Sequence, residues 1–139
     1  PVLIPEAYVP DLDVRLGLYR RLSTLEKKVE FEGFAAELID RFGKLPKEVN
    51  TLLVVIRIKA MCKHAQIARL DAGPKGATIQ FHQDKFPNPK GLVEFLHAQN
   101  NLAKIRDNKV IIQRDWPNDK DKLRGAFAIA RDLAAKAKG

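Results

Sequence analysis

Residues with reactive side chains are scarce in this 139-residue chain: one cysteine, one serine, one methionine, one tryptophan and three histidines. The lone Cys62 excludes an internal disulfide and a cysteine-based zinc site, and this usage suits a reducing compartment, so a cytoplasmic location is expected. The longest unbroken apolar run, residues 52–56, is far short of the ~20 residues a bilayer-spanning helix requires, so no membrane partner is expected. No basic start followed by an apolar centre marks a leader. The chain opens on Pro1-Val2 with its one methionine at Met61, and a piece of a longer polypeptide is the expectation.

What is present is an ordinary globular balance, 45% hydrophobic and 30% charged, enough for one compact domain. The net charge of +8 is uneven: residues 1–48 hold 8 basic and 9 acidic groups, whereas residues 49–139 hold 17 and 8, a net of +9. Two readings of that basic portion stand side by side, a solvated surface that keeps the domain soluble and a contact for nucleic-acid phosphates. For the second, Lys59, Lys63, Arg69, Lys75, Lys85 and Lys90 are the candidates. Stacking aromatics are scarce there, which argues against a single-strand binder.

Three prolines within residues 1–10 predict an extended linker rather than a helix. Asp11 is a good N-cap for a first helix with Leu12, Leu16, Tyr19 and Leu22 at helical spacing, ending near Leu25. Phe31, Phe34, Ala35, Leu38, Ile39 and Phe42 form one apolar stripe on a second helix, with Gly43 as its left-handed cap. Leu45-Pro46 opens a third, running to about Ala65. It is apolar nearly all round through Val54, Val55, Ile58, Met61 and Cys62, and so is expected to be central and packed on both sides.

The period then becomes alternating. Strands are predicted at 67–71 and 77–82 around a tight turn at 72–76, with Ala77, Ile79 and Phe81 inward. Asn88 caps and Pro89 starts a fourth helix, which ends at Asn100-Asn101. Strands at 103–106 and 110–114 flank an Asp107-Asn108 turn, and Trp116-Pro117 leads into a last helix with Leu123, Ala126, Phe127, Ala130, Leu133 and Ala137 on one face. The fold class is therefore α+β, helices packed on a small antiparallel sheet in the order ααα-ββ-α-ββ-α.

Chemistry is hard to assemble from these residues. Ser23, beside Thr24 at a helix end, reads as a local capping hydroxyl, and Cys62 in the most apolar helix reads as a small core residue. His64, His82 and His97 have no partner at ligand spacing, so no metal site is expected. Gly73-Pro74-Lys75-Gly76 joins strand to strand and lacks a phosphate-loop ending. Asp11/Asp13, Glu30/Glu32 and Asp119/Asp121 lie at helix starts, where the dipole favours negative charge. Glu37 and Asp40 differ, because they project opposite the apolar stripe of the second helix, near Gly33 and Lys44. Glu37 pairing with Arg41 at i+4 is one reading and an acidic docking face is the other.

Several segments carry a family resemblance: Ile4-Pro5-Glu6-Ala7-Tyr8-Val9-Pro10-Asp11, Arg15-Leu16, Leu18-Tyr19-Arg20-Arg21-Leu22, and Glu37-Leu38-Ile39-Asp40-Arg41-Phe42-Gly43-Lys44-Leu45-Pro46. With Phe86-Pro87 and Arg114-Asp115-Trp116, the chain resembles the C-terminal domain of bacterial transcription-repair coupling factors over essentially its whole length. The resemblance implies a linker at 1–10 from a preceding motor domain and a single C-terminal regulatory domain at 11–139. It implies a parent that translocates on double-stranded DNA using ATP and Mg, displaces stalled RNA polymerase and recruits UvrA for DNA repair. This fragment carries no motor motif and is expected to be noncatalytic, with no cofactor of its own. In the family this domain masks the N-terminal UvrA-binding module of the same polypeptide, and the contact residues correspond to Glu37 and Asp40. The alternative is a sequence-nonspecific nucleic-acid-binding module built on the basic residues of 49–139.

Overall fold

In the computed structural model, which describes residues 3–138, the Asp11 carboxylate accepts the Val14 amide at 3.0 Å and starts α1 (Leu12–Leu22). The helix stops three residues before the expected end. There the Ser23 and Thr24 hydroxyls donate to the Arg20 and Arg21 carbonyls at 2.6 and 2.7 Å. Next, α2 (Lys28–Phe42) begins with the Glu30 carboxylate accepting the Lys27 and Glu26 amides at 2.8 and 3.2 Å. It ends at Gly43, whose φ of 92° and ψ of −168° lie outside the left-handed helical cap expected and in a region essentially restricted to glycine. α3 spans Lys47–His64.

The chain divides into two compact units, Pro1–Ala60 and Met61–Gly139. The first unit's core is Ile4, Val9, Leu18, Leu22, Phe34, Leu38, Val49 and Leu52. Residues 3–10 belong to it and are not an extended linker; Pro1 and Val2 lie outside the described residues. The Tyr8 and Val9 amides both turn back onto the Pro5 carbonyl, at 3.0 and 3.1 Å. The Tyr8 hydroxyl donates to the Gly43 carbonyl at 2.7 Å, the Ile4 amide donates to the Tyr19 hydroxyl at 2.6 Å, and Arg15 donates to the Val9 carbonyl at 2.8 Å. Prolines here shape a turn whose apolar residues are buried.

α3 differs from the expected central helix. Only Val49 and Leu52 are buried, while Val54, Val55, Ile58 and Met61 are half-buried. Val49, Leu52, Leu53 and Ile56 share one face and pack in the first core and Cys62 packs against the second, whereas Val54, Val55 and Ile58 stand on the opposite face and join neither.

In the second unit, β1 (Ile67–Gly73) and β2 (Gly76–Phe81) form a hairpin around Pro74-Lys75. After a single 3-10 turn at His82–Asp84 come α4 (Pro89–His97), β3 (Ala103–Arg106), β4 (Lys109–Gln113) and α5 (Asp119–Ala137). The four strands make one antiparallel sheet in the order β1-β2-β4-β3. Asp107 and Asn108 both have positive φ, 53° and 61°, as a two-residue turn between twisted strands demands. One face of the sheet, Ala77, Ile79, Phe81, Val110 and Ile112, packs against Phe95, Trp116, Ile129 and Leu133.

Asn88 does not cap α4 with its side chain. Its Nδ2 donates instead to the Lys136 carbonyl at 2.8 Å, tying the start of α4 to the end of α5. Asn118 does cap α5, accepting the Asp121 amide at 2.9 Å. Element order and fold class agree with the sequence reading: among the described residues, five α-helices and a four-stranded antiparallel sheet in an α+β arrangement.

Candidate functional site

The apolar stripe of α2 is narrower than its sequence suggests. Phe31, Phe34 and Leu38 are buried, but Ile39 is 50% exposed, because at ~100° per residue it falls at the edge of the buried arc. The outward side presents Val29, 70% exposed, then Gly33, Ala36 and Asp40 at i, i+4, i+7 and i+11. Around Gly33 there is open space where a side chain would stand. This is a surface of small and apolar groups with a carboxylate at one end.

The two carboxylates predicted for this face are in different states. Glu37 accepts two parallel N–H bonds from the Arg21 guanidinium, both at 2.7 Å, and a third from Arg41 at 3.0 Å. Those arginines are themselves positioned by aromatic rings, Arg21 lying 5.0 Å from the Phe34 centroid and Arg41 4.9 Å from that of Phe42. The Glu37–Arg41 pair was legible at i+4, whereas Arg21 comes from α1, sixteen residues away. Asp40 is exposed and makes no hydrogen bond or ion pair among the described residues. It is the uncommitted charge of the pair.

The Arg21 bonds first, and the Arg41 bond second, hold the Glu37 carboxyl down at about 2, against an ordinary value of 4.5. A lowered carboxyl adds stability that is fully present above its unfolded value and is lost as pH falls through its folded one. The window is therefore roughly pH 4.5 down to 2. With about a third of Glu37 in solvent, the exposed pair contributes only about 0.2–1 kcal/mol. In urea titrations, the stability difference between wild type and Glu37→Gln is expected to be largest at neutral pH and to close as pH approaches 2.

The six basic candidates are distributed over separate elements. Lys59 and Lys63 lie on α3, Arg69 on β1, Lys75 in the β1–β2 turn, Lys85 just after the 3-10 turn and Lys90 in the first turn of α4. Arg69 is occupied by Asp71, with Nε to Oδ2 at 2.7 Å. Sequence reasoning passed over Lys104, Arg106 and Lys109, although the alternation of β3 and β4 about the Asp107-Asn108 turn puts them on one face.

Cys62 packs against the second core, and burial pushes its thiol up to about 11. At pH 8 thiolate is then scarce, so labelling by a thiolate-specific disulfide reagent should run on the order of a hundredfold slower than for free cysteine, recovering in urea. Equal rates in folded and unfolded chain would contradict this placement. No group of three or more His, Cys, Asp or Glu able to hold a metal occurs among the described residues, and no helix is long and apolar enough to cross a membrane.

Residues 1–92 match the family model of the TRCF domain, which covers the first unit and extends through the first hairpin into α4. Among curated proteins, the transcription-repair-coupling factor of Rickettsia conorii is 42% identical over 111 residues, 79% of this chain and 10% of that protein. That of Escherichia coli is 35% identical over 99 residues, 71% and 9% respectively, and that of Haemophilus influenzae is 29% identical over 136 residues, 97% and 12%. The chain spans about a tenth of the length of these relatives. A crystal structure of the C-terminal domain of transcription-repair coupling factor superposes with a TM-score of 0.81 at 24% identity, covering 99% of this chain and 89% of that one. The chain belongs to the TRCF domain family and has the fold of that C-terminal domain.

Proposed function

We propose that the chain is the noncatalytic regulatory domain of a transcription-repair coupling factor, and that it holds its parent closed by occupying the UvrA-binding surface of the N-terminal module. The parent would be the ATP-dependent DNA translocase that removes stalled RNA polymerase and recruits UvrA. ATP and Mg would belong to its motor domains and not to this chain. The observation that supports the reading is the outward side of α2, where the uncommitted Asp40 carboxylate and exposed Val29 flank an unobstructed Gly33, with half-exposed Ile39 at the margin.

A docking face needs some apolar area to desolvate and a charge to set partner and register, and this side of α2 offers both. Asp40 can meet a cation on the partner without giving up an existing bond. Glu37 would share its oxygens with Arg21 and Arg41, so its part is to offset one of the two positive charges that would otherwise repel a basic surface. Such a contact is modest and screened by salt, which suits a latch whose release requires only a few kcal/mol of differential binding. The test is binding in trans of this chain to the isolated N-terminal module, with charge reversal at Asp40 and Glu37.

A further inference from the structure

The second unit, by its sequence, holds 15 basic against 8 acidic residues, and the docking face of α2 gives that excess no role. Register resolves where part of it goes. Val110 and Ile112 point into the core, so Lys109, Ile111 and Gln113 occupy the opposite face of β4. Directly opposed residues of antiparallel strands share a face. Lys104 stands opposite Ile111 and Arg106 opposite Lys109, which gathers Lys104, Arg106 and Lys109 on the side of the sheet away from α4 and α5.

All three are exposed, and none has a hydrogen bond or ion pair among the described residues. The same face continues through Thr78 and Gln80 to Arg69 and Asp71, which neutralise each other. Asp107, in the turn, makes no ion pair with any of the three cations. Ile111 is the one apolar residue within this cluster and is half-buried. On this face a protein partner would therefore find little to bury, Ile105 at 58% exposed lying on the other side of β3, and the absence of an aromatic ring from these rows leaves nothing on which a splayed base could stack. Three exposed cations without an ion pair among the described residues match a ligand of regularly spaced anions.

We propose that Lys104, Arg106 and Lys109, on the solvent face of the β3–β4 hairpin, form a sequence-independent contact for the phosphate backbone of duplex DNA. This rests on the sheet alone and is independent of the latch. Neutralising about three phosphates predicts a slope of log affinity against log salt near −2.7, or roughly a fortyfold loss between 50 and 200 mM salt.

The experiment is fluorescence anisotropy of a labelled random-sequence duplex titrated with this chain across that salt range. Lys104→Gln/Arg106→Gln/Lys109→Gln is compared with Lys75→Gln/Lys85→Gln/Lys90→Gln. The first variant should bind at least tenfold more weakly at low salt with its slope largely gone, while the second should retain most of both. All six positions are exposed, and circular dichroism checks that the fold is kept. Three results would each overturn the assignment: no duplex binding by wild type at 50 mM salt, loss of binding in the second variant and not the first, or displacement of the duplex by poly-glutamate of equal charge as effectively as by unlabelled duplex.

Discussion

Gly125→Ala should destabilise the second unit by about 3 kcal/mol, although an exposed helical Gly→Ala change ordinarily stabilises by up to about 1 kcal/mol. Gly125 lies within α5, and the indole of Trp116 rests where its Cβ would be, overlapping Cζ2 and Cε2 and leaving Cη2 at 2.6 Å. The ring has little freedom to retreat. Trp116 is 9% exposed within the second core, and its backbone amide donates to the Pro74 carbonyl at 2.8 Å, so displacing it disturbs both the core and the β1–β2 turn. Gly33→Ala is the control, since at that helical position nothing lies within 4 Å of where the new methyl would stand, and it should gain the ordinary increment. Urea unfolding followed by far-ultraviolet circular dichroism, with the fluorescence of the single tryptophan as a second probe, would measure both. A Gly125→Ala protein as stable as wild type would mean that the indole does not lie on this helix.

The elements were legible because each carries its own local signal. Period 3.6 in α2, period 2 in β2, Pro89 at a helix start and the Asp107-Asn108 turn all act over a few residues, and all four lie where the sequence places them. The division into two units was not legible, because it depends on which apolar residues meet across long separations. α3 contributes Val49, Leu52, Leu53 and Ile56 to the first core and Cys62 to the second, while Val54, Val55 and Ile58 on its other side are part of neither. A helix apolar on every side reads as central, yet this one is buried only at Val49 and Leu52 and half-buried on its other side. Likewise, three prolines in residues 1–10 point to an extended linker, while the burial of Ile4 and Val9 depends on partners such as Tyr19 and Leu38 that proline spacing cannot reveal.

The candidate site was legible in position and opaque in state. Helical geometry placed Glu37 and Asp40 outward, and the i+4 rule found Arg41. Nothing local announces Arg21, whose bidentate hold on Glu37 requires α1 and α2 to pack and therefore appears only with the fold. The basic candidates meet the opposite difficulty. Charge along the sequence selects them, whereas grouping in a sheet follows register, and register selects Lys104, Arg106 and Lys109.

Charge reversal on α2 is expected to have the largest functional effect. The wild-type chain should bind the isolated N-terminal module, and Glu37→Lys/Asp40→Lys should weaken that binding by roughly a hundredfold or more, because like charges placed face to face cost several kcal/mol. The single variants separate the roles. Asp40→Lys removes a carboxylate that has no partner among the described residues, so it should lower affinity at least about tenfold with thermal stability unchanged. Glu37→Gln leaves Arg21 and Arg41 without their shared carboxylate, so any loss of affinity should come with a small loss of stability at neutral pH. Salt provides an internal check, since at 0.1 M the screening length is about 10 Å and affinity should fall as salt rises. If Asp40→Lys binds as tightly as wild type, the acidic end of α2 is an ordinary solvated surface and the latch must lie elsewhere. If affinity is lost in Asp40→Lys and retained in the β3–β4 triple variant, the two faces of this basic domain act on different partners, one on protein and the other on phosphate.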